Sequence, residues 1–314
     1  MADYSKLIDD QTWGFIHQVE RWYPPDTMGL DVAGQRDVYN KMCGAFYAGR
    51  PAGVQVYDCL ANGVPVRCYR MGDGPPQAVV LYCHGGGYVV GSLDSHDDVC
   101  AEISARTGFA VVSVDYRLAP VHLHPAAYED CLAAYRWTQE KYGLPVVLAG
   151  DSAGANLAAA VAHKARDAQG LVLIYPSLGE CKESGSYIDH ANAPLLSRAD
   201  MDFYEEVRTP KTGLVKDFTY APLLDNDFSG LPPVVAVSAE CDPLCDDGED
   251  YCAAIRKAGG QAVWVKETGL IHGYLRARHT VDRARNSFSR VVAAVDAFGH
   301  KRPVSYAELM DVET

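Results

Sequence analysis

The stretch Gly150-Asp151-Ser152-Ala153-Gly154 carries the clearest chemistry in this chain. A serine hydroxyl is a weak nucleophile until a base takes its proton. Here the serine lies between a short apolar run, Pro145–Ala149, and an alanine-rich stretch at 153–166. Strand, sharp turn and helix in that order push a serine oxygen out at the carboxyl edge of a sheet. Small residues beside Ser152 suit so tight a turn. The helix N-terminus behind it offers unpaired N–H groups to a developing negative charge. The pattern alone is weak, because glycine and serine frequencies give ~0.1 chance matches in a chain this long. Its setting and a second motif raise it above a mere glycine-rich helix start.

The second motif is His84-Gly85-Gly86-Gly87, directly after the apolar run Gln77–Cys83. Chance supplies this tetrapeptide only ~0.002 times per chain. A glycine run leaves backbone N–H groups free to face a reacting oxygen. The N–H groups of Gly85 and Gly86, with that of Ala153, are therefore expected to form an oxyanion hole. A phosphate-binding loop would need a following Lys-Ser/Thr or the spacing G-x-G-x-x-G, and neither is present. His84 reads as an anchor for the loop rather than a base. Tyr88, next in the chain, is placed in the substrate pocket.

A serine nucleophile needs a base, and the base needs an acid to orient it. After this kind of elbow the acid and then the histidine follow along the chain. Asp242 comes just after the apolar run Val234–Ala239, and His272 lies in Gly269-Leu270-Ile271-His272-Gly273 after a strand pattern at 261–267. Glu240, Asp246, Asp247 and His279 are the rivals. Glu240 is too near the strand end, Asp246 and Asp247 fall in the next helix, and His279 reads as surface. Ser152, Asp242 and His272 are the expected catalytic residues.

These residues need a scaffold. From residue 77 onward, strand patterns alternate with helical ones: a helix at 94–107, a strand at Phe109–Val114, a helix at 125–141, and later helices near 246–258 and 280–299. That alternation predicts a mostly parallel central sheet with helices on both faces. Residues 54–70 read as a strand pair turning near Gly63. Two amphipathic helices precede them, with Phe15, Val19 and Trp22 on one and Val38, Met42 and Phe46 on the other, separated by Pro24-Pro25. Residues 178–220 are too long for an ordinary connection. Within them, Ser197-Arg198-Ala199-Asp200 predicts a capped helix through Met201 and Tyr204. The last dozen residues are polar and expected to be loosely ordered.

Taken together, these motifs resemble the hormone-sensitive-lipase-like branch of the α/β-hydrolases, the bacterial esterases with an HGGG loop. The resemblance runs from about residue 77 to 276. It also includes Asp115-Tyr116-Arg117-Leu118-Ala119-Pro120, Asp242-Pro243-Leu244 and Ile271-His272-Gly273. It implies the α/β-hydrolase fold with a two-part helical cap, residues 1–48 and about 180–220, on a catalytic domain of 49–314. It further implies hydrolysis of short-chain carboxylic esters without a cofactor, and frequent dimers. This chain departs from the family at Val121, where a glutamate is usual. Asp115 and Arg117 are expected to hold that loop by buried polar contacts. Two other readings stay open: an amide or formamide hydrolase using the same triad, and a ligand receptor like the plant gibberellin receptors. The receptors lack the catalytic histidine, and His272 is present here.

Composition excludes other classes. The 314 residues carry a formal net charge of −13, which makes nucleic acid and anionic membranes poor partners. No run approaches the ~20 apolar residues of a membrane span. Met1–Lys6 lacks a basic region leading into an apolar run, so a cytoplasmic protein without a secretory leader is expected. The ten cysteines are scattered, and are expected to be reduced and mostly buried. Only Cys241 and Cys245 lie close, and no second Cys/His pair near them completes a zinc site. Neither metal nor cofactor is expected, and the partner is a small-molecule ester.

Overall fold

The computed structural model describes residues 2–23, 27–214 and 216–312; the Pro24-Pro25 separator lies outside them. Helices α1 (Tyr4–Leu7), α2 (Asp10–Glu20) and α3 (Val32–Ala45) open the chain. Strands β1 (Val54–Ala61) and β2 (Val64–Met71) form a hairpin whose turn, Asn62-Gly63, has positive φ at both residues, as a two-residue turn between twisted strands requires. Then come β3 (Val79–Cys83), α4 (Asp97–Thr107), β4 (Ala110–Val114), α5 (Ala126–Tyr142), β5 (Val146–Asp151), α6 (Ala153–Ala165) and β6 (Gly170–Ile174). Within the long insertion lie α7 (Ser186–Asp189) and α8 (Arg198–Arg208). The chain closes with β7 (Val234–Cys241), α9 (Cys245–Lys257), β8 (Ala262–Ile271), α10 (Asp282–Gly299) and α11 (Tyr306–Met310).

The eight strands make one sheet in the order β1-β2-β4-β3-β5-β6-β7-β8. β1 and β2 pair antiparallel, β2 and β4 likewise, and all later pairings are parallel. The central strands are unbroken apolar runs because both faces are covered. Alternate residues serve opposite cores. Val80, Tyr82, Val147 and Ile174 face the layer that holds Phe288 and Val291 of α10. Val79, Leu81, Leu148 and Leu173 face the layer of α5, α6 and α9. Helix α6 is buried along nearly its whole length. Its alanines let it lie close against β5, so the turn joining the two is held from both sides.

The sequence places the end of the chain among loosely ordered residues, and the structure corrects this. Ser305 and Glu308 form a reciprocal capping box that starts α11, and Leu309 is buried in the core. One short capped turn is ordered there because one apolar side chain anchors it. The capping box expected at Ser197 and Asp200 opens α8. Among the described residues, no helix is long and apolar enough to cross a membrane, and all ten cysteines are free.

Candidate active site

Ser152 sits on the turn between β5 and α6 with φ 54° and ψ −120°. A non-glycine residue at positive φ is strained. The strain is held by close packing on both sides. A Cβ at Gly154 would lie 2.0 Å from the Cys83 carbonyl oxygen and 2.4 Å from that of His84. One at Gly150 would lie 2.6 Å from the same Cys83 oxygen. Both neighbours are backbone of β3 and its loop, which cannot swing aside. Gly154→Ala is therefore expected to cost about 1–3 kcal/mol of stability. A urea-denaturation midpoint equal to that of the parent would show that the turn relaxes freely.

Asp242 is the first residue past β7, and His272 the first past β8. The structure brings Ser152, His272 and Asp242 together. His272 Nε2 lies 2.8 Å from Ser152 Oγ, and His272 Nδ1 lies 2.7 Å from Asp242 Oδ2. Since a carboxylate only accepts, Nδ1–H donates to Asp242, which leaves Nε2 free to accept the serine proton. Asp242 is fully buried, and its Oδ1 accepts the Leu244 N–H at 2.9 Å. The rivals lie elsewhere. Glu240 accepts from Gly269 N–H, Asp246 from Ser186 N–H, and Asp247 from the N–H groups of Leu178 and Gly179. His279 is half-exposed beside Glu102.

The glycine loop needs one correction. Gly85 is not available to an oxyanion, because its N–H donates to Asp151 Oδ1 at 2.9 Å. The next two glycines face the cavity with Ser152 and Ala153. Among the described residues, no hydrogen bond takes the N–H of Gly86, Gly87 or Ala153. Gly86 at φ 131° and Gly87 at φ 58° adopt backbone shapes that suit glycine. A Cβ on Gly87 would strike the Tyr204 ring at 2.4 Å. The sequence expectation did not include the Gly87 N–H, although the motif contains that residue. The loop's first N–H is taken by a side chain that G-x-S-x-G leaves unspecified.

That side chain, Asp151, is buried and also accepts from Tyr82 Oη at 2.8 Å and Tyr175 Oη at 3.3 Å, with His96 Nε2 at 3.3 Å. Burial works to raise its carboxyl, but His96, Arg276 and the Tyr82 hydroxyl overcome this and hold it well below the usual carboxylate range. His84 matches its reading as an anchor. Its Nδ1 donates to Gly85 O at 2.9 Å, and its ring stacks on Tyr116 at 4.3 Å. Burial first, and His96 second, push its imidazole down to about 3, so it is neutral. In the Asp115–Pro120 motif, Arg117 pairs with Asp130 at 2.8 Å. Asp115 contributes no side-chain hydrogen bond among the described residues, which corrects its expected role.

A cavity of about 430 Å³ opens above Ser152. Phe15 and Val19 of α2, Met42 of α3, and Met201 and Tyr204 of α8 line it together with Tyr88. Tyr88 is nearly buried, and burial pushes its phenol up to about 12 against the pull of the Arg208 guanidinium, so it remains a donor. Among the described residues, no three His, Cys, Asp or Glu side chains are grouped to hold a metal ion.

A family model for the alpha/beta hydrolase fold matches residues 80–276. The carboxylesterase NlhH of Mycobacterium tuberculosis is 38% identical over 258 residues, covering 76% of this chain and 79% of that protein. An ethyl acetate hydrolase of Pseudomonas putida is 34% identical over 248 residues, covering 74% and 78%. The solved structure of a hyperthermophilic esterase from Pyrobaculum calidifontis superposes with a TM-score of 0.84 at 32% identity, covering 93% of this chain and 98% of that one. The chain belongs to the α/β-hydrolase fold family, as the resemblance to its hormone-sensitive-lipase-like branch implies.

Proposed function

We propose that this carboxylesterase cleaves short-chain acyl esters through an acyl-enzyme on Ser152. One observation carries the reading: the hydrogen-bond chain from Ser152 through His272 to buried Asp242, at 2.8 and 2.7 Å, at the floor of the cavity. His272 Nε2 takes the proton as Ser152 Oγ bonds to the ester carbonyl carbon. The carbonyl oxygen becomes an oxyanion facing the N–H groups of Gly86, Gly87 and Ala153, each donor worth roughly 3 kcal/mol of barrier lowering. The carbon–oxygen bond to the alcohol then breaks, and His272 delivers the proton to the leaving alkoxide. Water repeats the two steps and releases the acid and free Ser152. Asp242 holds His272 in the required tautomer and stabilises its charged form.

Residues 1–48 and about 180–220 act as the cap in this reading, and their side chains supply the cavity's apolar wall. A cavity of about 430 Å³ suits a small ester rather than a triacylglycerol. The ethyl acetate hydrolase among the relatives favours the same size class. The test is a series of p-nitrophenyl esters from acetate to palmitate, run beside matched anilides, below and above each solubility limit. Efficiency is expected to peak at about two to six acyl carbons and to be at least ~10-fold lower on palmitate. No rate jump is expected as an emulsion forms, since exposed charges such as Asp202 and Glu206 break up the outer face of the cap helix among the described residues. Faster palmitate cleavage, or interfacial activation, would overturn the short-chain reading. Faster anilide cleavage would favour an amide hydrolase.

A further inference from the structure

Among the described residues, the cap places a cation in the cavity wall without a counter-ion. Arg208 ends α8 and is only 8% exposed, yet it lines the cavity. Its guanidinium is stacked between two rings, 4.1 Å from the centroid of Tyr88 and 3.8 Å from that of Tyr220. One Nη donates to Tyr220 O at 3.0 Å. Among the described residues that is its single hydrogen bond, and no carboxylate comes within 4.0 Å of it. A buried guanidinium ordinarily meets an acid, because an uncompensated buried charge is costly.

The acids of the same wall are committed elsewhere: Glu20 lies 3.2 Å from His17 Nδ1, and Asp151 is held by Tyr82 and Gly85. Glu180 and Glu205 share the Lys216 ammonium at 2.7 and 2.9 Å. Asp200 closes the cap of α8. Beside Arg208, burial and then the guanidinium itself push His124 down to about 4, so that imidazole is neutral. Next to the guanidinium lies a second unmet group. Among the described residues the Tyr88 hydroxyl, on a residue 8% exposed, makes no hydrogen bond of normal geometry, and Arg208 is the cation that acts on it. Tyr88 directly follows Gly86 and Gly87 in the chain, so the pair lies next to the proposed oxyanion donors.

We propose that Arg208 and Tyr88 form a carboxylate-binding subsite, so that the preferred substrate is an ester carrying a free carboxylate. A carboxylate satisfies the free N–H groups of the guanidinium and the tyrosine hydroxyl together, and a planar guanidinium is suited to it. The proposal rests on the ester-hydrolase reading and names its substrate class. The carboxylate can belong to the acyl or to the alcohol part of the ester.

The experiment uses two anionic esters, monomethyl glutarate and 4-acetoxybutyrate, each beside its neutral methyl ester, followed by proton release in the parent enzyme, Arg208→Gln and Arg208→Lys. In the parent, one anionic ester is expected to exceed its neutral twin at least ~10-fold in kcat/KM; which one does assigns the carboxylate to the acyl or alcohol side. Arg208→Gln should lower kcat/KM for that ester ~100-fold, mostly through KM, and for its neutral twin only a few-fold; Arg208→Lys should fall between. Equal losses on charged and neutral esters would make Arg208 a cap strut and overturn the proposal. So would a parent enzyme that favours the neutral ester in both pairs, a result that stands without any variant. If none of the four esters is hydrolysed, it is the ester-hydrolase reading that fails.

Discussion

Ser152→Ala is expected to lower kcat by ~10⁴-fold or more while leaving the fold and KM close to those of the parent. Alanine keeps the Cβ, so the backbone at φ 54° is no more strained than before. What disappears is the oxygen 2.8 Å from His272 Nε2, the atom proposed to form the acyl-enzyme. The proposed oxyanion donors Gly86, Gly87 and Ala153 remain in place, so a small residual rate over water should survive. Because the triad acts as a unit, adding His272→Ala to Ser152→Ala should cost almost nothing further. Turnover of p-nitrophenyl butyrate by both variants, with circular dichroism to confirm folding, checks this. Near-normal turnover by a folded Ser152→Ala enzyme would remove Ser152 from the mechanism.

Asp242→Asn is expected to lower kcat by ~10⁴-fold through the tautomer of His272 rather than through any loss of packing. The Leu244 N–H, 2.9 Å from Asp242 Oδ1, donates and so selects the oxygen of an asparagine amide. The amide nitrogen is then turned toward His272 Nδ1, 2.7 Å from Asp242 Oδ2 in the parent. An amide nitrogen only donates, so Nδ1 must accept and the imidazole proton moves to Nε2. A protonated Nε2 cannot take the Ser152 proton. The variant should fold normally and keep its KM. A rate above about one tenth of the parent's would show that Asp242 does not set the tautomer.

The juxtaposition of Ser152, His272 and Asp242 was legible because each carries a local signature. Ser152 has a strand, a tight turn and a helix around it, and Asp242 and His272 each follow a strand in the required order. The sheet was legible for a related reason: strands buried on both faces read as unbroken apolar runs, such as Val79–Cys83. The glycine loop was only half legible. His84-Gly85-Gly86-Gly87 locates the loop, but which N–H groups remain free depends on Asp151, 66 residues away. Arg208 was not legible at all. It is one charge among many in the insertion, and only folding shows that its neighbours are two tyrosine rings and not an acid. The terminal helix was missed because a two-residue capping box and one buried leucine are a faint signal in a polar tail.

The placement of Asp151 has a mechanical consequence. Its backbone leads straight into the proposed nucleophile, and its carboxylate grips Gly85 in the loop that carries two of the proposed oxyanion donors. Nucleophile and donors thus hang from one residue, like two instruments bolted to the same bench. A displacement of that bench carries both with it, so their separation is fixed by one short path of bonds. Registration between attacking atom and charge acceptor is in this way set within the sheet's own edge and not by the cap above.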